Sequence, residues 1–93
     1  MIVGIGWFDL HIQGNRSLKG KRRIVKSLKE RIRSHYNVSI AEVGCLDKWQ
    51  RAEIGLASVG NDRQRIQSIL SRIADRILND PTFTVIDYHI EID

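Results

Sequence analysis

Residues 2–12 read Ile2-Val3-Gly4-Ile5-Gly6-Trp7-Phe8-Asp9-Leu10-His11-Ile12. Side chains alternate across a strand, so Ile2, Phe8, Leu10 and Ile12 share one face with Gly4 and Gly6. Val3, Ile5, Trp7, Asp9 and His11 share the other. A strand apolar on both sides over half its length belongs in the middle of a sheet, with neighbours on both edges.

The next residues show how those neighbours arrive. Gly14-Asn15-Arg16 makes a turn, and Ser17 reads as the N-cap of a helix reaching about His35, with Leu18, Val25, Leu28 and Ile32 on one face. A second strand begins at Val38 and Ile40 and runs to about Leu46. Asp47-Lys48 connects it to a third, Trp49 to Val59, in which Ala52, Ile54 and Leu56 point inward. Two strands this close in sequence pair antiparallel. Gly60-Asn61-Asp62 opens a second helix, where Ile66, Ile69, Leu70, Ile73, Ile77 and Leu78 follow helical spacing. Asn79-Asp80-Pro81 stops it, because a residue before proline is driven out of the helical region. From Phe83 to Ile92, the residues Thr84, Ile86, Tyr88, Ile90 and Ile92 alternate with Asp87, His89 and Glu91 in a half-buried strand.

The order β-α-β-β-α-β predicts an α+β sandwich of the ferredoxin-like type. It has a four-stranded antiparallel sheet in the order 4-1-3-2, with both helices on one face. The 93 residues form one domain, with no linker or repeat. A chain this short buries about 60–65% of its unfolded surface, so a partner subunit would add appreciably to its stability. The lone Cys45 excludes an internal disulfide and an iron–sulfur cluster; "ferredoxin-like" names a fold only. The N-terminal run lacks a basic segment and Asp9 interrupts it, so it reads as a strand and not as a leader or a membrane span. A cytoplasmic protein is expected, with one thiol suited to a reducing compartment.

The run Ser17-Leu18-Lys19-Gly20-Lys21-Arg22-Arg23, with Lys26-Ser27-Leu28, Asn37 to Val43, Asp47-Lys48-Trp49-Gln50-Arg51-Ala52 and Gly55, resembles the bacterial YlxP-like family. The likeness spans essentially the whole chain. It implies a ferredoxin-like domain without an assigned function, whose genes in some bacteria lie near those of translation and ribosome-maturation factors. It supplies no catalytic residues.

Charge points to a partner. Net charge is +4, yet residues 16–33 hold nine Lys/Arg against one acid, Glu30, while six bases and ten acids make up the rest. Lys19, Arg22, Lys26, Lys29 and Arg33 are spaced 3, 4, 3 and 4 apart, a single helix flank roughly 21 Å long at about 1.5 Å per residue. A helix that needed only solubility would mix signs for i, i+4 pairing. A one-sign flank above a capped helix N-terminus suits polyanions. The expected binding residues are Arg16, Lys19, Lys21, Arg22, Arg23, Lys26, Lys29 and Arg33, and the expected partner is RNA or a ribosomal particle. Arg65, Arg72 and Arg76 on the second helix are shorter in extent, diluted by Asp62 and Asp75, and read as ordinary surface.

The sheet face without helices would carry Val3, Ile5, Trp7, Gly55, Ala57, Val59 and Val85. Trp7 is the one aromatic there, which disfavours an RNA-recognition sheet with stacked bases. An apolar patch on so small a domain suits a second subunit. A homodimer interface of Val3, Ile5, Trp7, Ala57 and Val59 is therefore the alternative reading, a protein–protein module. Asp9 and His11 on the first strand and Asp87, His89 and Glu91 on the fourth have i+2 spacing. Full overlap would set Ile5 opposite His89 and leave His11 about 20 Å from it, so no metal site is expected. Gln13-Gly14-Asn15-Arg16 before a helix faintly resembles the phosphate cradle of acylphosphatases, a distant third reading. No catalytic pairing or cofactor motif accompanies it, and an enzyme is not expected.

Overall fold

The computed structural model describes residues Met1–Asp93. The elements are β1 (Ile2–Ile12), α1 (Leu18–His35), β2 (Ser39–Gly44), β3 (Arg51–Gly60), α2 (Arg63–Leu78) and β4 (Phe83–Ile92). The sheet order is β2-β3-β1-β4, all neighbours antiparallel, which is the expected 4-1-3-2 order read from the other edge. β1 is central as its two-sided apolarity requires. Phe8 pairs with Ile54 on one side and with Tyr88 on the other, where the two rings stack at 5.6 Å between centroids.

Both helices cover the face that carries Phe8, Leu10, Ile12, Ala52, Ile54 and Leu56, and these meet Val25, Leu28 and Ile32 of α1 and Ile66, Leu70, Ile73 and Ile77 of α2 in one core. Gly4 sets how closely α2 approaches: a Cβ there would stand 2.6 Å from Leu70 Cδ1, inside any tolerable contact. Asp62 caps α2, its side chain accepting from the Gln64 and Arg65 amides.

Three details differ from the expected arrangement. Strand β4 carries a bulge: Asp9 pairs with Asp87 but Leu10 pairs with Val85, leaving Ile86 as the extra residue. The bulge turns Phe83 and Val85 toward the helices and leaves Ile86 exposed, so Val85 is not on the open face. The register differs as well: His89 lies opposite Trp7 instead of Ile5, an offset of two residues of which the bulge supplies one. Finally, β2 and β3 are shorter than their apolar runs. Cys45, Leu46, Trp49 and Gln50 lie outside them because side chains from elsewhere, Asn15 and Lys21, capture the backbone of the 45–51 segment, and Val38 lies outside at the other end of β2, its amide donating to the Tyr36 carbonyl.

Candidate nucleic-acid interface

Helix α1 starts where expected. Ser17 is extended, and its hydroxyl accepts from the Gly20 amide at 2.9 Å. No acid occupies the first turn. The buried face of α1 consists of Lys21, Val25, Leu28 and Ile32. On its α2 side, Arg31 reaches Asp80 in the turn after α2 at 3.2 Å. On the other side Arg33 donates from Nη2 to the Ile40 carbonyl of β2 at 2.8 Å. The flank that contains Lys19, Arg22, Lys26, Lys29 and Arg33 therefore runs beside the edge strand β2, away from α2.

Arg16, Lys19, Arg22, Arg23 and Lys26 are exposed, and Lys29 is half-buried. None of the six takes part in an ion pair; the four in the molecule are Lys21–Glu42, Arg31–Asp80, Arg51–Asp9 and His89–Glu91. The structure thus brings together the cations of the stripe with Arg16 and Arg23 beside them. Arg33 is exposed, and one guanidinium nitrogen is occupied by the Ile40 carbonyl.

Lys21 is a correction. Its side chain is 0% exposed and cannot meet a phosphate. The ammonium lies 2.8 Å from Glu42 Oε2 and donates toward the carbonyls of Cys45 (2.6 Å), Leu46 (3.3 Å) and Arg51 (3.2 Å). It is a structural cation at the foot of the 45–50 loop, where Cys45 adopts a left-handed φ of 56°. The spacing 21, 25, 28, 32 places Lys21 on the apolar face, a signal the charge count obscured.

The same loop carries an exposed aromatic, expected from the sequence only as the start of the third strand. Trp49 is 54% exposed. The Asn15 side-chain amide donates both to the Trp49 carbonyl and to the Ser17 carbonyl, so the indole-bearing backbone abuts the N-cap of α1. The Asn15 side-chain amide is thereby engaged with the protein's own carbonyls. A Cβ at Gly20 would crowd Asn15 Oδ1, so a larger residue there would shift the Asn15 side chain.

On the open sheet face all five expected interface residues come together as cross-strand neighbours, Val3 with Val59, Ile5 with Ala57 and Trp7 beside Gly55. Ile5 and Val59 are 48% and 62% exposed, while Trp7 is half-buried. Toward one end of this face Asp9 accepts a two-nitrogen contact from Arg51, the shortest at 2.7 Å; this contact raises the Arg51 guanidinium pKa further above its ordinary range. His89 bonds Glu91 at 2.8 Å. His11 pairs with Thr84, four residues along from the Trp7–His89 pair, about 13 Å at about 3.3 Å per residue. No group of three or more His, Cys, Asp or Glu side chains is arranged to hold a metal ion.

Residues 3–90 match the model of a family described as a protein of unknown function, DUF503. A Bacillus subtilis (strain 168) protein described as uncharacterized protein YlxP is 35% identical over 72 residues, covering 77% of this chain and 78% of that one. The chain belongs to the DUF503 family. Among solved structures, the DUF503 chain is similar to a de novo designed protein with a ferredoxin fold, LFR1 1, at a TM-score of 0.50 and 15% identity, covering 98% of this chain and 85% of that one. That likeness concerns the fold alone. No helix of the DUF503 chain is long and apolar enough to cross a membrane.

Proposed function

We propose that this DUF503 chain is a non-enzymatic cytoplasmic RNA-binding protein that holds RNA, free or in a ribosomal particle, by its phosphates along α1. One observation carries the reading. The outward flank of α1 presents Lys19, Arg22, Lys26 and Lys29, with Arg16 and Arg23 beside them, and none of them has a carboxylate partner. Leaving such a row unpaired costs self-repulsion, which an anionic ligand relieves while its condensed counterions are released. Equilibrium binding to a short single-stranded RNA tests it. Arg22→Glu with Lys26→Glu should weaken binding far more than Arg65→Glu with Arg72→Glu on α2. Equal losses from the two pairs would reduce the effect to net charge.

A second reading rests on the bare sheet face, and the two are compatible. We propose that a second copy of the chain covers Val3, Ile5, Trp7, Ala57 and Val59, since water otherwise wets a contiguous apolar patch on a domain with a small core. Light scattering at tens of micromolar should give a dimer mass, and Trp7→Glu should return it to the monomer. A monomeric wild type at that concentration would exclude this assembly.

A further inference from the structure

The indole of Trp49 is large, apolar and more than half exposed, the largest of the nine big apolar side chains that the domain leaves on its surface. The loop that carries it is held firmly. The Asn15 amide binds the Trp49 carbonyl, Gln50 Nε2 donates to the Asn15 carbonyl at 3.2 Å, and the Ile12 amide donates to the Gln50 carbonyl at 2.9 Å. On the other side of the loop the Lys48 amide closes a turn onto the Cys45 carbonyl at 3.0 Å, and the buried Lys21 ammonium anchors Cys45 and Leu46. The ring is therefore displayed from a loop held by six hydrogen bonds, so a ligand that meets it has little backbone left to order.

Its surroundings select the ligand. One Asn15 amide serves the carbonyls of both Trp49 and Ser17, so the backbone that carries the exposed indole stands at the N-terminal end of α1, with Arg16 and Lys48 nearby in the chain and Asp47 the one acid of the loop. An apolar peptide would gain nothing from the cations, and a simple polyanion would gain nothing from the indole. A strand of unpaired nucleotides offers both a π-face and phosphates. We propose that Trp49 stacks on an unpaired RNA base while the adjoining phosphates lie on Lys19, Arg22 and Lys26, which makes single-stranded RNA, not duplex, the preferred form. This rests on the RNA reading above and adds the strand state and the residue that senses it.

The experiment titrates the protein with a single-stranded oligouridylate, the same length of duplex RNA, and inorganic polyphosphate at low salt. Emission is followed in a Trp7→Phe background, in which Trp49 is the sole tryptophan. Single-stranded RNA should quench Trp49, whereas duplex and polyphosphate should bind without comparable quenching. Trp49→Ala should lower affinity for the single strand roughly tenfold, within what one stacked base contributes, and Trp49→Phe should restore part of it. The dependence of affinity on salt should be the same in Trp49→Ala as in its parent, because no charge is removed. Salt-dependent RNA binding with no quenching and no loss in Trp49→Ala would overturn the stacking proposal and leave phosphate binding standing. Equal quenching by duplex would overturn it as well. No binding to any of the three would remove both.

Discussion

Replacing Lys21 by methionine keeps the length and bulk of the side chain and removes only the ammonium. The change leaves the Glu42 carboxylate, 13% exposed and with no aligned hydrogen-bond donor on Oε2, without its counter-charge. It also strips a donor from the Leu46 and Arg51 carbonyls, while the Cys45 carbonyl retains the Lys48 amide. Removing one member of a buried ion pair costs about 3–5 kcal/mol, since the other charge stays buried. The left-handed Cys45 offsets part of this if the loop relaxes, on the order of 1 kcal/mol. A net loss of about 3 kcal/mol is a large share of the roughly 5–14 kcal/mol expected for a chain of this size. At about 4–8 °C per kcal/mol, the melting temperature should fall by about 12 °C or more. Urea and thermal denaturation followed by circular dichroism measure both quantities. Lys26→Met, on the exposed stripe, should stay within about 0.5 kcal/mol of wild type. The double change Lys21→Met with Glu42→Met should recover much of the loss, because exchanging a whole buried pair for apolar groups is close to neutral. If Lys21→Met were as harmless as Lys26→Met, the assignment of Lys21 as a structural cation would be wrong.

Two further expectations concern titrating groups. Burial pushes the Cys45 thiol above its ordinary value, and the nearby Glu53 carboxylate, which accepts from it at 3.6 Å, adds to the rise. Iodoacetamide should therefore alkylate Cys45 more slowly at pH 8 than it does free cysteine, and Glu53→Gln should speed the reaction; fast alkylation of the wild type would contradict the geometry. At Asp80 burial acts to raise the carboxyl, but bonds from Thr82, its amide at 2.9 Å, and from Arg31 outweigh it, so the folded value lies below the ordinary 3.8. A depressed carboxyl adds stability that is present above its unfolded value and lost as pH falls through the folded one. The stability gap between wild type and Asp80→Asn should thus be widest near neutral pH and close below about pH 4. A gap that did not change with pH would refute the contribution of charge.

How much the sequence disclosed depended on whether a signal was local. The apolar parity of residues 2–12, the Ser17 and Asp62 caps and the Pro81 stop each report on their own neighbourhood, and together they fix the element order and the sheet. The β4 bulge was not legible: Val85-Ile86 are both β-branched and apolar, and only the partner strand decides which faces in. Trp49 and Lys21 were missed for a common reason. Each is placed by a long-range contact, Trp49 through Asn15 and Lys21 through Glu42 and the 45–51 backbone. Counting charge treated Lys21 as one more base. Its helical spacing with Val25, Leu28 and Ile32 shows that position rather than charge decides its role.

The salt dependence of RNA affinity tests the central claim most directly. Four stripe cations, Lys19, Arg22, Lys26 and Lys29, each neutralising one phosphate of a single strand, predict a slope of log affinity on log salt of roughly −3, at about −0.7 per phosphate. Arg22→Glu with Lys26→Glu should flatten that slope by about half or more, while Arg65→Glu with Arg72→Glu should leave it near its original value. Absence of binding at low salt, or a slope indifferent to the α1 changes, would contradict the account.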